Sequence, residues 1–517
     1  MLLRESTFAA KCVYSRLLHS TSKNKADMMD DLKTVARRLF ADTPYTSWGQ
    51  IQIECNRLNF PGHSAEVERA LRTLGLPELA GCLVWVPWDR LEDVEELGRG
   101  GFATVYRGTI RSMDERGFAV MGYDKRKVDV EEWRRLLARG EDTWWNYHVR
   151  WERTKEWKVA LKEVDNFLIN EMILTAHISF HSNFTGMATM IGLTRNPITF
   201  RHVMVMLYYP KGNMESASFL SLPDSWPAVC QRARRLARSL REIHHLGLTH
   251  GDIHGANVVF DAAEDPLDLY PNIIDVGLGK PIGESRGAEG VYGRLQCLPP
   301  EMIYGEHSTQ ASDVYCLGIL LWQNVTRVPP KGTAANLWRK DGMREDPVPG
   351  LPRWYEELYC QCWNVDPKKR PTAQEVLERV VEHVGNPEDD EWVLGEETVQ
   401  WLEERRRSWE EEKKKSLVNG MTDSFPSTQS SFFTLTELEK YTREIKIDNT
   451  TISSPIQLPL IIITAPTMHV MDPPTVSGDA LGPPTTLKVR PRLDRVKFWL
   501  GKLSSCFSIS SQDSRDV

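Results

Sequence analysis

The sequence predicts an α+β fold in two lobes, a small lobe of antiparallel strands with one helix and a larger, mainly helical lobe, with disordered tails. Three observations predict it. Residues 86–384 alternate strand and helix patterns; a glycine-rich turn lies between two strand patterns instead of opening a helix; and a long amphipathic helix leads into an ordered series of Asp- and Asn-bearing loops.

The chain has 517 residues, 41% of them hydrophobic, enough for a substantial core. A formal net charge of -7 argues against a wholesale polyanion binder, so no nucleic-acid partner is expected. The nine cysteines are an odd number with no Cys-x-x-Cys pair, which points away from a disulfide framework or zinc site and towards a reducing compartment, with the cytoplasm as the expected location. No apolar run reaches the ~18 residues that span a bilayer. The amino end, with Arg4, Lys11, Arg16, Lys23 and Lys25 against Glu5, reads either as an ordinary flexible terminus or as a mitochondrial transit segment.

The elements divide as follows. Residues 1–27 are flexible or a targeting segment. Residues 28–85 form a small helical region with helices at 28–40 and 64–74. Residues 86–384 are the main domain, with an insertion at 109–158. A charged helix occupies 385–420, its core at 401–415 spaced for acid-to-base (i, i+4) pairs and read as solvated. The Ser-, Thr- and Pro-rich stretch 421–517 reads as disordered. Its last part, 490–507, mixes basic and aromatic residues and is a weak candidate for contact with a membrane or partner. The insertion carries Trp133, Trp144, Trp145, Trp151 and Trp157, which suit an extended hairpin better than a ligand site, with a partner surface as the other reading.

The chemistry-bearing motifs come in order. Strands at 93–97 and 104–108 enclose Gly98-Arg99-Gly100-Gly101-Phe102-Ala103, where glycines let backbone N–H groups approach phosphates. Val159-Ala160-Leu161-Lys162 is a strand ending in a cation. The helix predicted at 166–179 has Glu171 as its one acid, the candidate carboxylate that fixes Lys162. After an amphipathic helix with Val229, Ala233, Leu236, Ala237, Leu240 and Ile243 on one face comes His250-Gly251-Asp252-Ile253-His254-Gly255-Ala256-Asn257, an acid five residues before an amide. Finally Asn272-Ile273-Ile274-Asp275-Val276-Gly277 ends a strand in a hard oxygen ligand at a permissive turn.

This ordered set resembles the eukaryotic protein kinases, especially the tyrosine-kinase-like group expanded in filamentous fungi. The likeness continues in Pro299-Pro300-Glu301, in Ser312-Asp313-Val314-Tyr315-Cys316-Leu317-Gly318 and in Cys362-Trp363-Asn364-Val365-Asp366-Pro367-Lys368-Lys369-Arg370-Pro371. The resemblance implies a bilobal kinase fold and an ATP- and Mg²⁺-dependent enzyme that phosphorylates protein Ser/Thr hydroxyls in signalling; the protein substrate is not specified. It implies Asp252 as proton acceptor, Lys162 as the phosphate-holding cation with Glu171 as its anchor, and Asn257 and Asp275 as magnesium ligands. ATP would lie against Leu97, Gly98, Gly100, Gly101, Ala103, Val105, Ala160, Lys162, Met206 and Tyr208, with Met206 as gatekeeper. Glu301 and Arg370 would form a buried framework pair, and Asp313 would hold the catalytic loop. The chain departs from the family pattern at Ala103 for a glycine, Gly251 for the arginine that clamps a phosphorylated loop, His254 for a lysine, Val276 for Phe and Arg294 for Thr. The alternative is therefore a pseudokinase, an ATP-binding scaffold with little or no catalysis; a third reading places the function in the insertion and tail.

Overall fold

The computed structural model describes residues 22–41, 43–99, 104–125, 145–164, 168–182, 186–187, 189–216, 225–261, 270–281, 290–339, 342–384, 395–418 and 431–434. The described residues open with three helices, α1 (Ser22–Ala41), α2 (Ser47–Asn59) and α3 (Ser64–Leu74). The sequence predicted the first and third. The second starts where Thr46 accepts a hydrogen bond from the Gly49 N–H, an N-cap that satisfies one orphan donor of the first turn. Its buried side is Gly49, Ile53, Cys55, Asn56 and Asn59, two of the five polar and one a glycine, so no apolar stripe announces it.

Strands follow in the order β1 (Val84–Trp85), β2 (Leu91–Arg99), β3 (Thr104–Arg111), β4 (Phe118–Lys125), β5 (Trp145–Glu152), β6 (Glu156–Glu163), β7 (Met190–Arg195) and β8 (His202–Leu207). Six of them make one sheet in the order β1-β7-β8-β6-β3-β2, antiparallel except for β1 beside β7. The sheet therefore begins at Val84, just before residue 86 where the main domain was expected to start. Strands β4 and β5 pair with each other as the expected hairpin inside the insertion. There Phe118 is fully buried and stacks on Trp157 at 4.0 Å between ring centroids, while Arg116 lies 3.6 Å over Trp151. The short helix expected around 129–140 falls outside the described residues.

Among the described residues, the helix that packs on this sheet is α4 (Leu168–His181), buried along its whole length. One side meets the sheet. The other is covered by the amino-terminal helices, whose Leu32, Val35, Ala36, Ile53, Val67 and Leu71 join the same hydrophobic cluster as Met172, Ile173 and Ala176. Burying an apolar side chain contributes on the order of 1.5–3 kcal/mol, so this cap, and not helix propensity, is what holds α4 in place.

The large lobe contains α5 (Trp226–His245), α6 (Pro300–Ile303), α7 (Gln310–Thr326), α8 (Asn336–Arg339), α9 (Arg353–Cys362) and α10 (Ala373–His383). Between α5 and α6 run the short strands β9 (Leu248–Thr249), β10 (Val258–Phe260), β11 (Pro271–Ile273), β12 (Lys280–Pro281) and β13 (Gly290–Gly293), with β10 paired to β11 and β9 to β12. Arg370 makes a bidentate pair with Glu301, both contacts at 2.7 Å, and Ser312 adds a hydrogen bond to the same carboxylate at 2.8 Å. This is the framework pair that the resemblance implied.

Two tail expectations change. The charged helix α11 (Glu396–Val418) is not solely a solvated rod: Leu402 is buried in the core, Trp401 and Trp409 pack against it, and Arg405 reaches Asp346 at 3.4 Å. Within the stretch expected to be disordered, residues 431–434 form strand β14 (Ser431–Thr434), which pairs antiparallel with β13. Backbone hydrogen bonds to a sheet partner decide this, and composition does not report them. Among the described residues no helix is long and apolar enough to cross a membrane, and Cys55, Cys82, Cys230, Cys297, Cys316, Cys360 and Cys362 are free thiols.

Candidate active site

The site lies where the sheet meets the large lobe. Lys162, near the end of β6, sits between Val105 on β3 and Met204 on β8. Its ammonium is 2.7 Å from both carboxylate oxygens of Glu171 on α4 and 3.3 Å from Oδ1 of Asp275. Lys162 and Glu171 are only 8% and 3% exposed, so the pairing happens away from water, where an unpaired charge would be costly. Burial alone would lower the lysine pKa, but the Asp275 and Glu171 carboxylates raise it above the ordinary lysine value, and the side chain is a fixed cation. Burial likewise works to raise the pKa of Asp275, and the Lys162 ammonium overrides it, leaving the carboxyl below its usual range and ionised. The separation of nine residues between Lys162 and Glu171 is enough because α4 begins within a few residues of the end of β6 and Glu171 lies in its first turn.

Asp275 adopts φ 66°, a left-handed conformation that a short polar residue tolerates and most side chains resist. Its turn is held from two sides. Asn170, the neighbour of Glu171, donates to the carbonyls of Gly277 at 3.1 Å and Gly279 at 3.0 Å. A Cβ on Gly277 would sit 3.2 Å from Glu171 Oε2 and 3.5 Å from Asp275 Oδ1, so the glycine leaves the space that the two carboxylates use. Val276 is 5% exposed and packs in the main core.

The second loop is fixed by Asp313 on α7. Its carboxylate accepts the N–H of His250 at 2.8 Å and of Gly251 at 2.9 Å, and lies 3.1 Å from His244 Nε2. His250 is fully buried. Its Nδ1 accepts the Asp252 N–H at 3.2 Å, so Nε2 carries the proton and donates to the Ile274 carbonyl at 3.1 Å. Burial lowers the His250 pKa and favours this neutral form. The Ile274 N–H in turn donates to the Asn257 carbonyl at 2.9 Å. These two bonds set the spacing between the Asp252 loop and the Asp275 turn.

Asn257 Nδ2 donates to the Asp252 carbonyl at 2.9 Å and stands 3.5 Å from Asp252 Oδ2, and His254 Nε2 is 3.5 Å from that same oxygen. Gly251 has φ 79°, and a Cβ there would meet the Leu278 carbonyl oxygen at 2.8 Å; the glycine suits a tight left-handed position. Arg294 is held by Glu215 at 2.7 Å, so its charge is compensated next to the loop.

The structure thus brings Lys162, Glu171 and Asp275 into one cluster and Asp252, His254 and Asn257 into another, joined through His250 and Ile274. Of the expected nucleotide contacts, Gly98 pairs with Val105, Val105 with Lys162 and Ala160 with Met206 across adjacent strands, which puts them on one sheet surface. Leu97 is 46% exposed, and Tyr208 follows β8 with Arg107 5.6 Å from its ring centroid. Gly100, Gly101 and Ala103 lie outside the described residues. Sequence reasoning missed Asn170, His250 and Glu215. His250 was visible two residues before Asp252; Asn170 and Glu215 carry no pattern that distinguishes them from surface polar residues.

Fold and site together define a two-lobed protein kinase domain. Residues 151–381 match the family model described as "Protein kinase domain". It is similar to receptor-interacting serine/threonine-protein kinase 3 of Rattus norvegicus, 26% identical over 321 residues that cover 57% of this chain and 56% of that protein. It is also similar to the probable serine/threonine-protein kinase roco7 of Dictyostelium discoideum, 25% identical over 57% of this chain and 10% of that protein. A third relative is the serine/threonine-protein kinase mos of Patiria pectinifera, 24% identical over 54% of this chain and 72% of that protein. The chain spans about half the length of the first of these and a small part of the second. The matched region starts at residue 151, inside β5, so the glycine turn precedes it.

Proposed function

We propose that this protein is an active, ATP-dependent protein kinase that phosphorylates Ser/Thr hydroxyls. The observation that carries the reading is the buried Lys162–Glu171–Asp275 cluster, in which a lysine is held by one carboxylate and aimed at a second. Charge arranged this way in advance costs no reorganisation when phosphate charge shifts. Three kinases that share the domain are named as Ser/Thr-directed, which supports the hydroxyl class.

In this reading Lys162 orients the α- and β-phosphates and Glu171 keeps the lysine from swinging away. Asp252 accepts the hydroxyl proton of the substrate, and His254, beside the same carboxylate, donates a hydrogen bond to the transferring phosphoryl group. Asn257 and Asp275 suit magnesium: an amide oxygen and an ionised carboxylate are hard ligands, and the Asn257 amide nitrogen is already committed to the Asp252 carbonyl. Magnesium supplies charge that offsets the phosphates when bound. The competing scaffold reading draws on Gly251, His254, Val276 and Arg294.

The deciding experiment is transfer of labelled phosphate from ATP and Mg²⁺ to a generic protein substrate by the wild-type chain and by Asp252→Asn. Transfer by wild type alone is expected, with phosphoserine or phosphothreonine as product. Nucleotide-induced thermal stabilisation with no transfer by either protein would establish the scaffold instead.

A further inference from the structure

Strand β14 places a hydroxyl-bearing tail residue opposite Gly293, next to the Asp252 loop. The pairing with β13 sets Gly293 opposite Ser431, Tyr292 opposite Phe432, Val291 opposite Phe433 and Gly290 opposite Thr434. Gly293 is next to the Asp252 loop: a Cβ built on it would lie 4.0 Å from Asp252 Oδ1. Opposed residues of an antiparallel pair have Cα atoms ~4.5–5.5 Å apart and share a face of the ribbon. Ser431 therefore occupies the face on which the Gly293 position looks to Asp252. Thr434, an odd number of residues further on, falls on the other face. Gly293 itself has φ 149°, a conformation that favours glycine, and a Cβ there would come within 2.9 Å of Leu298 Cδ2. The tail strand thus runs beside the loop at the point where that loop is thinnest.

We propose that β14 is a tethered substrate and that Ser431 is an autophosphorylation site, a reading that rests on the phosphotransfer activity above. The Ser431 Oγ attacks the γ-phosphorus of ATP. Its proton passes to the Asp252 carboxylate, the bond from the γ-phosphorus to the β,γ-bridging oxygen breaks, and ADP leaves with that electron pair. The acceptor class implied is an extended segment with serine followed by two phenylalanines, paired by its backbone to 290–293. Residues 419–430 join α11 to this strand, so reaction within one molecule competes with reaction between molecules at a high effective concentration.

The test uses the full-length chain with labelled ATP and Mg²⁺, a generic protein substrate in parallel, and mass-spectrometric mapping of the phosphate. Wild type should carry phosphate on Ser431, with an initial rate per molecule that does not change on dilution. Ser431→Ala should lose that label and keep transfer to the generic substrate, and Ser431→Thr should regain it. Phosphate on Ser430 or Thr434 with Ser431 unmodified, a rate per molecule that falls on dilution, or a Ser431 label that persists in Asp252→Asn would each overturn the inference. Transfer to the generic substrate with an unmodified tail would overturn it and leave the kinase reading intact, whereas silence towards both would overturn both.

Discussion

Gly49 offers a direct test of the amino-terminal cap as a clamp on the active site. In the first turn of α2, an alanine in place of glycine would ordinarily stabilise the helix by ~1 kcal/mol. The structure reverses that sign. A Cβ on Gly49 would lie 1.9 Å from the Phe180 carbonyl oxygen on α4 and 2.7 Å from its carbon, more than 1 Å inside the closest approach such atoms make. The obstacle is backbone, so no rotamer change relieves it. That carbonyl also accepts the Thr46 N–H at 3.3 Å, and Thr46 Oγ1 donates to the Ser182 carbonyl at 3.0 Å, so both contacts must stretch if α2 retreats. Overpacking of this kind costs about 1–3 kcal/mol. For Gly49→Ala we expect a melting temperature lowered by ~2–4 °C for each kcal/mol, the scale for domains of 150–250 residues. Because α4 carries Glu171 at one end and Phe180 at the other, a shift of ~1 Å there should also slow phosphate transfer, by up to ~10²-fold. Glu54→Ala, an exposed position on the same helix, is the control. The assay is thermal unfolding of the full chain together with transfer to a generic substrate. A Gly49→Ala protein that melts at or above the wild-type temperature would refute the close packing of α2 on α4.

Two further predictions concern the site and the cap. Glu171→Gln keeps the shape of the side chain but removes the charge that holds Lys162, leaving the lysine to Asp275; transfer should fall by at least ~10-fold while the protein stays folded, and an unchanged rate would show that Lys162 needs no anchor. His177 on α4 is packed against Phe40 and His181, and burial, with His181 beside it, pushes its pKa down to about 3. The unfolded chain takes up a proton near pH 6.5 and the folded chain does not until about 3, so the unfolded state binds more protons in that window and stability falls as the pH drops through it, by up to ~1.4 kcal/mol per unit. Urea unfolding midpoints from pH 8 to 4 should show that slope, and His177→Gln should flatten it; equal slopes in the two proteins would remove His177 from the account.

Much of the site was legible because kinase chemistry is written into contiguous runs. The loop from His250 to Asn257 and the strand ending at Asp275 each put their functional groups at fixed spacing along the chain, so type and order suffice to find them. Lys162 and Glu171 were legible for a different reason. A strand ending in a cation and a helix with one acid leave few partners for either charge, and in the structure the two charges stand 2.7 Å apart. Strand β6 and the long helix α5 also followed from apolar periodicity, which reports one face buried and one not.

What only the tertiary structure decided are the contacts made between distant segments through polar or backbone groups. Helix α2 buries Asn56 and Asn59, whose amides bond the Ile191 carbonyl at 3.2 Å and the Ala119 backbone at 2.7 and 2.8 Å, and a polar residue with a remote partner reads along the chain as a surface residue. Asn170 ties α4 to the Asp275 turn in the same way. The pairing of β14 with β13 uses main-chain groups that every residue has. The sequence by itself determined which residues are proposed to hold phosphate, metal and proton, since that reading depends on side-chain type. The fold determined how they are held, because carboxylates, backbone carbonyls and buried amides do the holding and most of their partners, such as Asp313 for the Asp252 loop and Asn170 for the Asp275 turn, lie far away in the chain.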